Sequence, residues 1–548
     1  MPGIKIIFPL GLLAFWDEFT TFVVVKNSLV WRRLALCLLS VLLLAPGWLG
    51  FSGLSLLAGF LPLLWISASL DDSRRAWWQM FGWALLTFAL WSAACDWWIG
   101  FATPIGPPAA IFFSSIWMMI PFMLYHTISK RAPKALAYVV LVAGWIACEH
   151  HYQSVDISWP WLLLGNGFSH DVRLVQWYEY TGIFGGTLWV WLSNLFLFEA
   201  LRQRSARRWL ASAGVILLPM LLSLGIFFTT ENPEKTTRVA LLQPHVDCYD
   251  KFKTTDDWQE QNLLNLLAEV PRDADFVLAP ETALTRYMDE QYLALYPHLK
   301  PFSEALRKQA PEALLISGAN TVRYYTAGSQ TPTARFRGGR WYDHFNTALA
   351  IDTLGVRDLY HKGKLVIAVE NTPRWIFDLM DFLVVDLGGV VGQIGIGQER
   401  KLFEAPNGVK GGPAICYEGI FGDFFGDFVR QGAEVMFLIS NDGWWGDTPG
   451  YRHLFSFSRL RAVEHRRAIG RSANTGRSGF IDCRGEVVGE SLGWEERGVI
   501  CYDLPLNEEQ TLYTRYGDYI ARIAKLLTML SLLYYVAYRV RRRNYLVE

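Results

Sequence analysis

Apolar stretches near 34–49, 51–69, 76–95, 107–126, 135–149, 184–201 and 208–228 fill the first part of the chain, and another lies near 519–538. Several approach the ~20 residues that cross ~30 Å of hydrocarbon. One such run reads as a buried core helix. A succession of them predicts an α-helical polytopic membrane bundle of about eight spans. Between 230 and 518 the pattern changes. Short apolar runs at 238–242, 276–279, 313–317, 348–352, 414–417, 435–440 and 479–483 predict strands. Amphipathic stretches near 256–269, 302–310, 420–432 and 452–467 predict helices. Apolar strands with helices between them argue for α/β layers rather than a pure β-sandwich. The expected division is a cytoplasmic or membrane-surface segment over 1–33 and a seven-helix bundle over 34–229. An α/β domain over 230–510 follows, then a last span with a basic tail over 511–548.

Charge gives the bundle a direction. Lys26, Arg32 and Arg33 precede the first span, Arg74 and Arg75 follow the second, and Lys130, Arg131 and Lys134 follow the fourth. Arg202, Arg204, Arg207 and Arg208 follow the sixth, and Arg539, Arg541, Arg542 and Arg543 follow the last. These are alternate loops, and the loops between them (96–107, 150–183) hold a single Arg and no Lys. Basic loops stay cytoplasmic, so the α/β domain is expected on the extracytoplasmic side. In 8–25, Asp17 and Glu18 break the apolar run, which suits a membrane-surface helix better than a span or a signal peptide.

Composition agrees. Of 548 residues, 52% are hydrophobic and 19% charged, too apolar for an ordinary soluble protein of this length. Lys and Arg equal Asp and Glu, 51 against 51, so no nucleic-acid partner is implied. The seven cysteines form no C-x-x-C pair. Cys37, Cys95 and Cys148 lie in apolar runs; Cys248, Cys483 and Cys501 are open to either a free or a paired state.

Three segments carry candidate chemistry: Pro280-Glu281-Thr282, Tyr360-His361-Lys362-Gly363-Lys364, and Ile415-Cys416-Tyr417-Glu418. Alone, each has an ordinary reading as a rim carboxylate, a solvated lysine or a buried thiol. Together a carboxylate, an ammonium and a thiol can run acyl transfer through a thioester. Each sits just past a predicted strand, at the edge where such sheets keep their sites. The Tyr417 N–H would be a second oxyanion donor. A further block follows: Ser440-Asn441-Asp442-Gly443-Trp444-Trp445, Arg461-Ala462-Val463-Glu464 and Ser472-Ala473-Asn474.

With these motifs the domain resembles the nitrilase, or carbon–nitrogen hydrolase, superfamily. The whole chain, about 34–540, resembles its membrane-bound N-acyltransferases, which complete bacterial lipoprotein maturation. The resemblance implies a nitrilase-like αββα sandwich with Glu281 as general base, Lys362 as triad lysine and Cys416 as nucleophile. It implies supporting roles for Glu370, Tyr417, Glu418, Trp444 and Phe252, with Trp258 as the alternative to Phe252. It further implies a phospholipid acyl donor, phosphatidylethanolamine, and a diacylated apolipoprotein acceptor. It implies a monomer in the bacterial inner membrane with its catalytic domain periplasmic, and no metal or organic cofactor. Two departures stand out. Ile367-Ala368-Val369 replaces the Pro-Phe-Gly that commonly precedes the second glutamate. Residues 323–344, with Arg323, Arg335, Arg337 and Arg340, have no counterpart and read as a solvated loop.

The rival readings are a membrane-anchored amidase, which the triad alone fits equally well, and a lipid-binding protein without catalysis. Glu149, His150 and His151 read as an interface patch rather than a metal site. Arg461 and Glu464 read as an ordinary intrahelical pair. Trp48, Trp77, Trp97, Trp98, Trp159, Trp161, Tyr534 and Tyr535 read as interface anchors.

Overall fold

The structure, a computed structural model, describes residues 29–155, 157–249, 251, 253–326, 328–367, 370–371 and 394–544. The N-terminal segment over 1–28, Phe252 and Ala368-Val369 lie outside the described residues.

The apolar stretches form helices α1 (Leu29–Leu44), α2 (Leu61–Ser69), α3 (Arg74–Asp96), α4 (Gly106–Ser129), α5 (Lys134–Tyr152), α6 (Ile183–Gln203) and α7 (Ala206–Thr229). Among the described residues, five helices are long and apolar enough to cross a membrane: α3, α4, α6, α7 and the C-terminal helix Tyr519–Asn544. The stretch at 51–69 is not one continuous helix. It breaks at Phe60, and Pro62, which has no N–H to give to a preceding turn, sits at the start of α2.

The second part of the chain folds into two sheets. The first holds β1 (Thr236–Gln243), β2 (Phe276–Leu278), β3 (Leu284–Asp289), β4 (Leu314–Tyr325), β5 (Arg335–Arg337), β6 (Arg340–Asp352), β7 (Gly355–His361) and β14 (Gly498–Pro505). Its order is β14-β1-β2-β4-β6-β5, with β3 also on β4 and β7 also on β6. The second holds β8 (Phe403–Glu404), β9 (Lys410–Ile415), β10 (Val435–Ser440), β11 (Ile469–Ala473), β12 (Ser478–Ile481) and β13 (Val487–Leu492), in the order β13-β12-β11-β10-β9-β8.

Strand alternation sorts the side chains into layers. Val239, Leu241, Phe276 and Leu278 belong to the core shared with the second sheet, where Phe276 and Phe437 lie 4.7 Å apart. Ala240, Leu242 and Val277 face the other way, packing with Leu263 and Leu266 of α8 (Asp256–Leu267) and Phe302 and Leu306 of α9 (Lys300–Gln309). The second sheet is covered by α10 (Gly422–Arg430) and α11 (Pro449–His465). The expected αββα sandwich results. The C-terminal helix is α12 (Tyr519–Asn544).

Three expectations change. Residues 323–344 are not wholly a solvated loop: β4 and β6 pair through 323–325 and 341–343, with Arg323 opposite Asp343 and bonded to Glu290 at 2.7 Å. Arg461 and Glu464 do pair, at 2.7 Å, but both are fully buried. Glu464 also accepts the Ile183 N–H that starts α6, so the pair ties the α/β domain to the bundle. Several expected anchors are buried at that same junction. Trp98 stacks edge-on against Trp445 at 5.1 Å, and Trp161 donates to His453 of α11 at 2.9 Å. His453 in turn bonds the Trp48 carbonyl. Trp97 and Tyr534 remain exposed, as an interface position requires. The Glu149 carboxylate accepts from Trp145, Thr187 and the Leu164 N–H, which leaves no metal-site reading for it. All seven cysteines are free thiols.

Candidate active site

Three strand ends deliver the chemistry. Glu281 follows β2, Lys362 immediately follows β7, and Cys416 immediately follows β9. The turns that present two of them are unusual. Cys416 has φ +49° and Thr282, next to Glu281, has φ +51°. A residue with a Cβ pays about 1–3 kcal/mol for such backbone, so the surroundings must hold it. Glu418 does so for Cys416. Its Oε2 accepts the Ile415 N–H at 2.7 Å, and its Oε1 accepts the Gly363 N–H at 2.6 Å and the Tyr360 hydroxyl at 2.7 Å. One carboxylate therefore clamps the Cys416 turn to the Lys362 turn.

Lys362 lies between two carboxylates. Its Nζ donates to Glu281 Oε1 at 2.8 Å and to Glu370 Oε1 at 3.0 Å. Asn346 bridges the same two oxygens through Nδ2, at 2.8 and 2.9 Å. The Asn441 N–H donates to Glu281 Oε2 at 3.0 Å, and the Val366 N–H to Glu370 Oε2 at 2.9 Å. The Cys416 thiol lines the same cavity, where the Glu281 and Lys362 charges both act on it. Glu281, Lys362, Asn346 and Cys416 are all buried.

Electrostatics follow from this crowding. Burial pushes the Glu281 carboxyl up, but the Lys362 charge and the hydrogen bonds from Lys362 and Asn346 outweigh it, so it lies below its ordinary value. Burial pulls Lys362 down, and the Glu281 and Glu370 charges override that, holding it well above its ordinary value. For Cys416, burial and the Glu281 charge raise the thiol, and Lys362 only partly opposes them. The resting site therefore combines an ionised Glu281, a charged Lys362 and a protonated thiol.

These groups line a cavity of about 150 Å³ that also touches Trp444, Trp445 and Ala102 of the bundle loop. Trp444 thus lies on the cavity border. Tyr417 is buried, but its ring stacks on Trp159 of the bundle at 6.1 Å, away from the cavity. Trp258 is exposed on α8 and does not line the cavity. Lys364 sits over the Phe421 ring at 4.9 Å, outside the site. Sequence reasoning missed Asn346 and Lys251, both lining the cavity. Asn346 offered little signal, because its strand also carries Asp343, His344 and Thr347. Lys251 offered none, being one lysine among several polar residues.

The fold and this cluster define a carbon–nitrogen hydrolase domain joined to a helical bundle. The Carbon-nitrogen hydrolase family model matches residues 238–513, and the Apolipoprotein N-acyltransferase N-terminal domain model matches residues 36–196. The chain belongs to the apolipoprotein N-acyltransferase family. The enzyme of that name from Chlorobaculum tepidum is 27% identical over 487 residues, 84% of this chain and 89% of the relative. That from Bradyrhizobium diazoefficiens is 30% identical over 464 residues, 80% of each. Among solved structures, an amidase of the nitrilase superfamily from Nesterenkonia AN1 is similar with a TM-score of 0.35 and 17% identity, over 52% of this chain and 96% of its own.

Proposed function

We propose that this protein moves a fatty acyl chain from a membrane phospholipid, through a thioester on Cys416, to the α-amine of a diacylglyceryl-cysteine apolipoprotein. The observation that carries this reading is the buried Glu281–Lys362–Cys416 cluster opening beside a membrane bundle loop. Glu281 takes the Cys416 proton as the sulfur attacks the ester carbonyl carbon. The C–S bond forms, the ester C–O bond breaks, and Glu281 passes the proton to the departing lysophospholipid oxygen. The acceptor amine then attacks the thioester carbonyl. It loses a proton to Glu281, the C–S bond breaks, and the thiolate recovers that proton.

The raised thiol pKa means Cys416 ionises only as it attacks, so the base must touch it beforehand. Lys362 has three N–H donors, and Glu281 and Glu370 take two of them. The third, with the Tyr417 N–H, steadies the oxyanion. Glu370 and Asn346 orient Lys362 and Glu281; Glu418 holds the Cys416 turn; Trp444 borders the acyl path. Phosphatidylethanolamine is the proposed donor and a monomer the proposed state. The bundle confines both lipid substrates near the thiol, which raises their effective concentration. We assign the protein to the inner membrane with about eight spans, the catalytic domain being periplasmic; the alternating basic loops support that orientation. We also keep the division 1–33, 34–229, 230–510 and 511–548.

Intact-protein mass spectrometry after incubation with phosphatidylethanolamine alone tests the first half-reaction. Wild type should gain one acyl chain that neutral hydroxylamine removes, and Cys416→Ala should gain none. An adduct on the variant, or none on folded wild type, overturns the reading.

A further inference from the structure

Lys251 is 2% exposed and lines the catalytic cavity. Its Nζ donates to Thr282 Oγ1 at 2.7 Å, one residue from Glu281. Among the described residues it forms no ion pair. Burial pulls its pKa down to about 8, the Glu281 charge opposing this only in part, so it stays largely cationic at neutral pH. A buried ammonium is costly unless an anion meets it. The nearby carboxylates are already engaged. Glu281 accepts from Lys362, Asn346 and the Asn441 N–H, and Glu370 from Lys362, Asn346 and the Val366 N–H.

The position of the lysine also matters. Tyr249, two residues away, donates to the Phe101 carbonyl of the bundle at 2.7 Å and packs edge-on against Trp444 at 5.5 Å. Ala102, next to Phe101, lines the same cavity. Lys251 therefore belongs to the wall where the catalytic cavity meets the membrane bundle. In a phosphoglyceride only the glycerol carbons separate the sn-1 ester from the phosphodiester. A cation one residue from the general base is placed to receive that phosphate while Cys416 reaches the ester.

Building on the acyltransferase reading above, we infer that Lys251 is the donor-recognition residue, its buried ammonium pairing with the phosphodiester of the phospholipid in the Cys416 cavity. It selects phosphate-bearing acyl esters over neutral ones and takes no part in bond making.

The test compares two acyl donors on full-length protein in detergent. One is phosphatidylethanolamine; the other is a p-nitrophenyl acyl ester, which has no phosphate. The readout is the rate of acyl-Cys416 formation by intact mass at a series of donor concentrations. For Lys251→Met the half-saturating phosphatidylethanolamine concentration should rise about tenfold or more, with the nitrophenyl ester affected several-fold less. Lys251→Arg should recover most of the phosphatidylethanolamine loss. Equal losses on both donors would mean that Lys251 only balances the charge of Glu281 or braces Thr282, and would overturn the assignment. An unaltered phosphatidylethanolamine response would also overturn it. Wild type that takes no acyl group from phosphatidylethanolamine would overturn the acyltransferase reading itself.

Discussion

Removing the Lys362 ammonium would leave Glu281 and Glu370 buried without their shared counter-ion. Lys362→Met should therefore cost about 3–5 kcal/mol of stability, the usual effect of orphaning a buried charge. The pH dependence has a definite sign. In wild type the Glu281 pKa lies below its ordinary value, so its contribution is present above the unfolded pKa and fades only as pH falls through the folded value. Without Lys362, burial meets only the hydrogen bonds from Asn346 and the Asn441 N–H and the more distant Lys251 charge, and it lifts the folded pKa above the unfolded one. That contribution is full at acid pH and disappears as pH rises. The thermal unfolding temperature of Lys362→Met should thus fall more steeply than that of wild type as pH rises through neutrality, wild type changing only with its other buried carboxyls such as Glu464, which burial lifts to about 7. A parallel decline in both proteins would count against the electrostatic account. Glu281, Lys362 and Cys416 were legible because each stands in a distinctive short string at a strand end. Asn346 was not. Its bond to Glu281 exists only because the antiparallel β4–β6 pairing places β6 beside the β2 and β4 ends.

At the level of elements, β4 passes so close to the Glu281 turn that position 318 has no room for a side chain. A Cβ on Gly318 would lie 2.3 Å from the Thr282 nitrogen and 2.5 Å from the Glu281 Cα. These are backbone atoms, so the turn itself must shift. Gly318→Ala should cost about 1–3 kcal/mol by overpacking and slow Cys416 acylation by about a hundredfold, since a displacement of about 1 Å is enough to misplace Glu281, the proposed base. Acylation at the wild-type rate would show that the turn is not constrained from β4. The strands β1, β2 and β10 were readable as short apolar runs. The half-exposed β7 and β13 were missed, because mixed exposure weakens the two-residue period. For β11 the reason is different. It is fully buried yet carries Arg471, whose partner Asp442 sits 2.8 Å away in the core. A charged residue inside a strand reads as surface until its partner is seen.

At the scale of the whole molecule, α11 joins the two parts. It covers the second sheet and also meets the bundle through His453, and just beyond its end Arg466 bonds Glu179 at 2.7 Å and Gln176 at 2.6 Å. Cutting the chain to 230–510 would expose Trp445, Leu454 and Phe457, now buried at or near this junction. That fragment should aggregate in detergent-free buffer, which sedimentation velocity can follow; a monodisperse soluble fragment would show that the junction is dispensable.

The linear chain by itself determined the apolar helical bundle, the α/β character of the segment that follows it and the short strings that hold Glu281, Lys362 and Cys416, because hydrophobic period and local strings are properties of neighbouring residues. Only the tertiary structure decided the sharing of Lys362 by two carboxylates, the Glu418 clamp, the Asn346 bridge and the burial of Lys251. These depend on contacts between residues far apart in the chain, such as Glu281 and Lys362 at a separation of 81, and no pattern of near neighbours records them.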